Sequence, residues 1–179
     1  MSESSFLDPA RAVAAAGLHE GMKVADFGAG AGFFTRAAAR VAGVHGEVWA
    51  VDSNADLLPR IKTLAQAEGL HNVEVVRGNA EHVGGTHLPA ATFDVCIVAN
   101  LLFAAQCKSC LADEAARILK RGGRVLLIDW TGSHGGLGPH PRQVVGKADA
   151  LREFESHGFV FVDNLPAGGY HWGCILKKK

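Results

Sequence analysis

The 179-residue chain lacks net charge, since Lys plus Arg and Asp plus Glu each number 18. Without a global field to hold a polyphosphate backbone, nucleic acid is not expected as the main partner. Long apolar runs are missing too. Val95–Ala99 and Val125–Ile128 fall far short of the roughly 20 residues that cross a bilayer, so no membrane partner is expected. The opening Met1-Ser2-Glu3-Ser4-Ser5 has no basic stretch ahead of a bulky apolar core, which argues against a secretory signal and predicts a cytoplasmic address. Cysteine is scarce. The four at 96, 107, 110 and 174 are expected as reduced thiols, and Cys107-Lys108-Ser109-Cys110 has no second Cys-x-x-Cys to complete a zinc site, so no metal is expected.

Apolar residues make up 48% and charged residues 20%, close to the globular average, which excludes intrinsic disorder. The length predicts one domain over 1–179, as a monomer or homodimer. Asp8-Pro9 reads as a helix N-cap followed by proline in the first turn, with Gly17 closing an Ala-rich helix that flanks or covers the fold. Apolar runs then alternate with helical segments. Strands are predicted at 22–27, 47–52, 73–76, 93–99 and 124–130, with helices over 55–68 and 109–120 and a helix opening at Phe33. A helix over 143–157 precedes strands at 159–164 and 170–177, whose short connection forces a hairpin. Buried apolar strands separated by helices predict an α/β fold: a doubly wound, mostly parallel seven-stranded sheet whose last strand is antiparallel. The terminal Lys177-Lys178-Lys179 reads as solvated.

The excess of 22 glycines is concentrated where it matters, in the loop Gly28-Ala29-Gly30-Ala31-Gly32 between the first strand and its helix. Glycines let the backbone approach a ligand and expose N–H groups at a helix N-terminus. Asp52 ends the second strand 20 residues after Gly32, where a carboxylate can accept from two ribose hydroxyls. The pair describes a nucleoside-bearing cofactor. A dinucleotide fingerprint counted from Gly28 and Gly30 requires glycine or alanine at 33, and Phe33 stands there. Asp26, two residues before Gly28, is also unwelcome beside a pyrophosphate. It suits the ammonium and sulfonium of S-adenosylmethionine.

Residues 21–35, Gly21-Met22-Lys23-Val24-Ala25-Asp26-Phe27-Gly28-Ala29-Gly30-Ala31-Gly32-Phe33-Phe34-Thr35, resemble the first motif of the class I S-adenosylmethionine-dependent methyltransferases, especially the small ubiquinone/menaquinone-biosynthesis-like branch. Val51-Asp52 resembles their ribose acid, and residues 119–129 resemble their turn into strand five. The resemblance implies a Rossmann-like methyltransferase fold, a methyl-transfer activity and S-adenosylmethionine as cofactor. It also implies cofactor contacts from Asp26, Gly28, Ala29, Gly30, Gly32, Asp52 and Ser53. The adenine would lie against Asn79-Ala80-Glu81, where the family usually has an aspartate first, and the methionine portion beside Asn100.

The run Ala99-Asn100-Leu101-Leu102-Phe103 is not the Asn-Pro-Pro-Tyr pattern of nucleic-acid amino methylation, so a small-molecule acceptor is expected. If that acceptor carries a proton, Asp129, His134, His140 and His171 stand at the carboxyl edge of the sheet, with His171 and Asp129 the leading candidates for catalysis. The loop 131–141 and the first helix are left to shape its pocket. A nicotinamide-dependent oxidoreductase and a cofactor-binding module without turnover are the competing readings. The first is disfavoured by Phe33 and by the absence of a Tyr-x-x-x-Lys pair.

Overall fold

The computed structural model describes residues 6–179, so Met1–Ser5 of the expected leaderless N-terminus lie outside the described residues. Seven strands form one sheet: β1 (Lys23–Phe27), β2 (Glu47–Asp52), β3 (Val73–Arg77), β4 (Phe93–Ala99), β5 (Leu119–Trp130), β6 (Phe159–Asn164) and β7 (His171–Lys178). Their order is β3-β2-β1-β4-β5-β7-β6. β1 pairs in parallel with both β2 and β4, which makes their carboxyl ends the point where the strand order reverses. β7 is the antiparallel strand, as the short hairpin requires, but it lies inside the sheet between β5 and β6 rather than at its margin.

Helices α1 (Pro9–Ala15), α2 (Phe33–Ala42) and α3 (Leu58–Ala67) cover one face, and α4 (Lys108–Ile118) and α5 (Lys147–Ser156) the other. Alternate residues of each strand feed the two cores. Val24, Ile97 and Leu126 pack toward α1 and α2, while Ala25, Phe27, Cys96 and Leu127 pack toward α4 and α5. This two-sided burial is why the central strands read as unbroken apolar runs. Asp8 caps α1 as expected, its carboxylate accepting from Ala10 N at 3.0 Å and Arg11 N at 3.3 Å.

Three local expectations shift. The helix expected over 143–157 splits into a 3₁₀ turn, Pro141–Gln143, and α5, because residues 144–146 stay extended and the Val145 carbonyl accepts from Trp172 Nε1 at 2.9 Å. β5 starts at Leu119, since Leu119 pairs with Phe93 where α4 was expected to run on to Lys120. Cys107 and Cys110, expected as free thiols, form a disulfide. They span the first turn of α4, where an i,i+3 spacing brings the Cα atoms to 5.3 Å. Cys96 and Cys174 are free and buried.

No helix is long and apolar enough to cross a membrane, among the described residues. The connection from β3 to β4 carries no helix. It is held instead by Glu114 of α4, whose fully buried carboxylate accepts from Gly84 N at 2.6 Å, from the Thr86 hydroxyl, and from Arg117 Nε and Nη2, both at 2.7 Å.

Candidate active site

The glycine loop emerges at the switch point between β1 and β4. Gly28, Gly30 and Gly32 have φ of 65°, 54° and 73°, a left-handed backbone that other residues adopt only with strain. Gly28 lines two hollows. A cavity of about 570 Å³ is walled by the glycine loop, Asp26, Asn100, Phe33 and Phe34, with Trp130, His171 and the N-terminal Phe6, Leu7 and Pro9 opposite. A narrower slot of about 150 Å³ is lined by Asp52, Ser53, residues 78–81, Leu101 and Leu111. The Leu101 side chain separates them over Gly28, where an added Cβ would stand 2.8 Å from its Cδ1.

Asp26 is buried and takes a 2.6 Å hydrogen bond from the Thr35 hydroxyl of α2. Burial pushes its carboxyl up to about 7. Hydrogen bonds from the Thr35 side chain and backbone oppose this, and the Asp52 charge adds to it. Since the folded state holds this proton more firmly than an unfolded carboxylate of pKa about 3.9, Asp26 costs stability as pH rises from about 4 through 7. In Asp26→Asn one of the two Thr35 donors meets an amide NH₂ group, so only part of that cost is recovered. We expect the variant to be more stable than the parent by on the order of 2 kcal/mol at pH 8 and to lose the difference toward pH 5. Urea unfolding at the two pH values checks this, and equal stability at pH 8 would contradict it.

Asp52 serves the loop as well as the slot. Its Oδ2 accepts from Gly30 N at 2.9 Å and its Oδ1 from Asn54 N at 2.9 Å, so each oxygen keeps a lone pair while the carboxylate fixes the glycine turn. Asn100 follows β4 with φ of 54°, and its buried Oδ1 has no hydrogen-bond partner. A strained residue carrying an orphan acceptor at a cavity wall marks a place for a donor from outside the chain. The cavity thus offers Asn100 and Asp26 to a donor, and the slot offers the Asp52 carboxylate.

His171, at the start of β7, is 7% exposed, and neither of its ring nitrogens has a hydrogen-bond partner. Its ring packs on Trp130 with centroids 4.2 Å apart. Burial lowers its pKa below the ordinary 6.5, and the neighbouring His134 lowers it further. It is therefore mostly neutral at pH 7, and both ring nitrogens are enclosed.

Other expected site residues are placed differently. Asp129 is fully buried, and its oxygens accept from Phe103 N at 3.2 Å and Trp130 N at 2.8 Å. Burial raises its pKa against those bonds; it lines neither hollow, and its hydrogen bonds strap β5 to the loop after β4. Gly32 also lines neither; it is the N-cap of α2, where a Cβ would stand 3.0 Å from Ile61. Asn79 turns its carbonyl oxygen to Glu81 N at 2.8 Å, and the Glu81 carboxylate is held by Gln106 N and Cys107 N at 2.6 and 2.8 Å. Both border the slot through a local turn. The loop 131–141 contributes no residue to the cavity lining; His134 packs at a tilt against Tyr170, and His140 caps the 3₁₀ turn. Sequence reasoning missed Thr35, Phe34 and Trp130 as site residues. A hydroxyl in the first turn after the glycine loop was the available signal for Thr35.

A methyltransferase-domain family model matches residues 18–156. The chain is 34% identical over 119 residues to the ubiquinone/menaquinone biosynthesis C-methyltransferase UbiE of Burkholderia vietnamiensis, covering 66% of this chain and 47% of that one. It thus spans about half the length of the curated relatives it matches. A SAM-dependent methyltransferase of Aquifex aeolicus superimposes with a TM-score of 0.87 at 26% identity, over 98% of this chain and 92% of that one. The [4+2]-cyclase SpnF superimposes with a TM-score of 0.77 at 15% identity, over 93% and 79%, which shows the shared fold alone.

Proposed function

The chain belongs to the class I S-adenosylmethionine-dependent methyltransferases, and from that premise we propose that it methylates a small, uncharged, flat acceptor held between the N-terminal segment and the Trp130–His171 pair. When bound, S-adenosylmethionine supplies a methyl group on an activated sulfonium. The narrow slot would hold the adenosine, with Asp52 to accept from the ribose hydroxyls, Ser53 beside it, and Asn79, Ala80 and Glu81 on the side of the base. Asn100 and Asp26 would hold the ammonium, and Gly28, Ala29 and Gly30 would give the close backbone approach.

The observation that carries the acceptor assignment is His171. It lines the same cavity as the glycine loop, and its two ring nitrogens are enclosed and unpartnered, so a small shift of the ring would present one of them to an acceptor. Among the described residues that line this cavity, Asp26 is the one acid and there is no Lys or Arg, so these side chains offer nothing to pair with a carboxylate or phosphate on the acceptor. Phe6, Phe34 and Trp130 instead offer apolar surface to a ring. Transfer from a sulfonium is an in-line displacement, so this chain's contribution is placement and exclusion of water, with His171 orienting the acceptor or taking its proton. The C-methyltransferase named among the relatives makes an electron-rich quinol-type ring the first acceptor to test.

Incubation with deuteriomethyl-labelled S-adenosylmethionine and a panel of neutral phenols and quinols, read by mass spectrometry, should yield a labelled product. S-adenosylhomocysteine should bind and NAD should not. Cofactor binding without product from any acceptor would favour a module without turnover. His171→Ala should lower kcat by about 10- to 100-fold with cofactor affinity within about threefold. The acid limb of the parent's pH profile should fall below pH 6.5 and vanish in the variant. Cofactor affinity falling as far as turnover would remove His171 from the acceptor side.

A further inference from the structure

The geometry points to Cys107–Cys110 as a thiol–disulfide exchange site coupled to the nucleoside slot through Glu81. Both cysteines are half-buried at the N-terminus of the 11-residue α4, within reach of a small external thiol, whereas Cys96 and Cys174 are enclosed by the sheet. Cys107 is the N-cap of α4: its sulfur accepts from Cys110 N at 3.3 Å and lies 3.4 Å from the Ser109 hydroxyl. Burial raises the Cys174 thiol to about 11 and raises Cys96 well above its ordinary value, so exchange is confined to the half-buried pair.

The coupling runs through hydrogen bonds. The Cys107 and Gln106 N–H groups both donate to Glu81 Oε2, and Glu81 N donates to Asn79 Oδ1. Asn79, Ala80 and Glu81 form one wall of the slot, and Leu111, one turn along α4 with its N–H on the Cys107 carbonyl at 3.3 Å, borders it as well. The disulfide fixes the first turn of α4 and, with it, both amides that clamp Glu81. In the reduced protein that turn is no longer cross-linked, and the clamp loosens. The chemical step is balanced by an external dithiol: the S–S bond accepts two electrons and two protons to give two thiols, and the dithiol is oxidised to its own disulfide. A redox-sensing disulfide is the form that persists transiently in a reducing compartment. The effect on ligand rests on the slot being the cofactor's; the effect on the clamp does not.

The test equilibrates the full chain in graded mixtures of reduced and oxidised dithiothreitol. Thiols are trapped with an alkylating mass tag, and amide hydrogen exchange and S-adenosylhomocysteine affinity are measured in each state. One two-electron transition confined to the peptide holding Cys107 and Cys110 is expected. Residues 104–111 and 78–82 should exchange at least threefold faster in the reduced protein, which should also bind S-adenosylhomocysteine at least threefold more weakly. The Cys107→Ser, Cys110→Ser double variant should match the reduced protein under all conditions, whereas Cys174→Ala should keep the transition. Tags on Cys107 and Cys110 under oxidising conditions, or identical exchange in the two states, would overturn the proposal. Faster exchange on reduction with no ligand binding in either state would uphold the switch and overturn the cofactor assignment of the slot.

Discussion

Gly30→Val is expected to abolish measurable binding of S-adenosylhomocysteine, a loss of more than about 100-fold, or about 2.7 kcal/mol. The reason is the direction of the new side chain. A Cβ at Gly30 meets nothing nearer than the Gly28 carbonyl oxygen at 3.8 Å, so the protein itself has room for it, and that room is the wall of the cavity. Two branched methyl groups would occupy the space through which a ligand reaches the backbone. The positive φ of 54° adds strain of about 1–3 kcal/mol for a β-branched residue and disturbs the N–H that donates to Asp52. The two contributions separate experimentally. Gly30→Ala carries most of the backbone strain with little intrusion, so it should retain part of the affinity, while circular dichroism confirms that both variants fold. Calorimetry giving a Gly30→Val affinity within tenfold of the parent would mean the ligand does not cross this loop.

The largest stability effect is expected from Glu114→Ala, a loss of about 3–5 kcal/mol, the range for removing one partner of a buried ion pair. Burial pushes the Glu114 carboxyl up, but the hydrogen bonds from Arg117, Thr86 and Gly84 N, with the Arg117 charge, together hold it below the ordinary carboxylate range. Removing it leaves the Arg117 guanidinium, also bonded to the Leu88 carbonyl at 2.8 Å, without its counter-charge and frees Gly84 N and the Thr86 hydroxyl. Urea unfolding at neutral pH reads the loss, and a change below about 1 kcal/mol would show the network to be dispensable. Because the folded pKa is depressed, the contribution of Glu114 is complete above the ordinary carboxylate range. It is lost as pH falls through the folded value, so the gap between parent and variant should narrow in acid. Replacing the pair together by Leu and Met should recover part of the loss, since the desolvation cost of both charges disappears with them. The same connection carries residues 78–81 into the slot, so Glu114→Ala should also weaken cofactor binding.

Local chemistry by itself determined the alternation of strand and helix, the Asp8 cap, the hairpin of β6 and β7, and the glycine loop followed by Asp52. All but the spacing to Asp52, one helix beyond the glycine loop, depend on residues within a few positions of one another: apolar runs, turn glycines, and a connection too short for a crossover. The side-chain roles were decided by segments far apart in the chain. Asp129 reads from the sequence as an acid at a strand end, and only the packed fold brings the Phe103 N–H, 26 residues away, onto one of its oxygens. Glu81 borders the slot as expected of a residue beside the base, but only the fold shows that its carboxylate also clamps the amides of residues 106 and 107. The orphan oxygen of Asn100, the buried Glu114 network and the stacking of His171 on Trp130 likewise exist only once β4, β5, β7 and α4 are packed together. The pairing of Cys107 with Cys110 is local in spacing, yet the half-buried setting that opens it to exchange comes from the tertiary fold. Hydrophobic periodicity encodes which face of an element is buried. Which polar partner arrives within 3 Å of a carboxylate or imidazole is set by the tertiary packing, and that arrival decides whether the group binds, catalyses or braces.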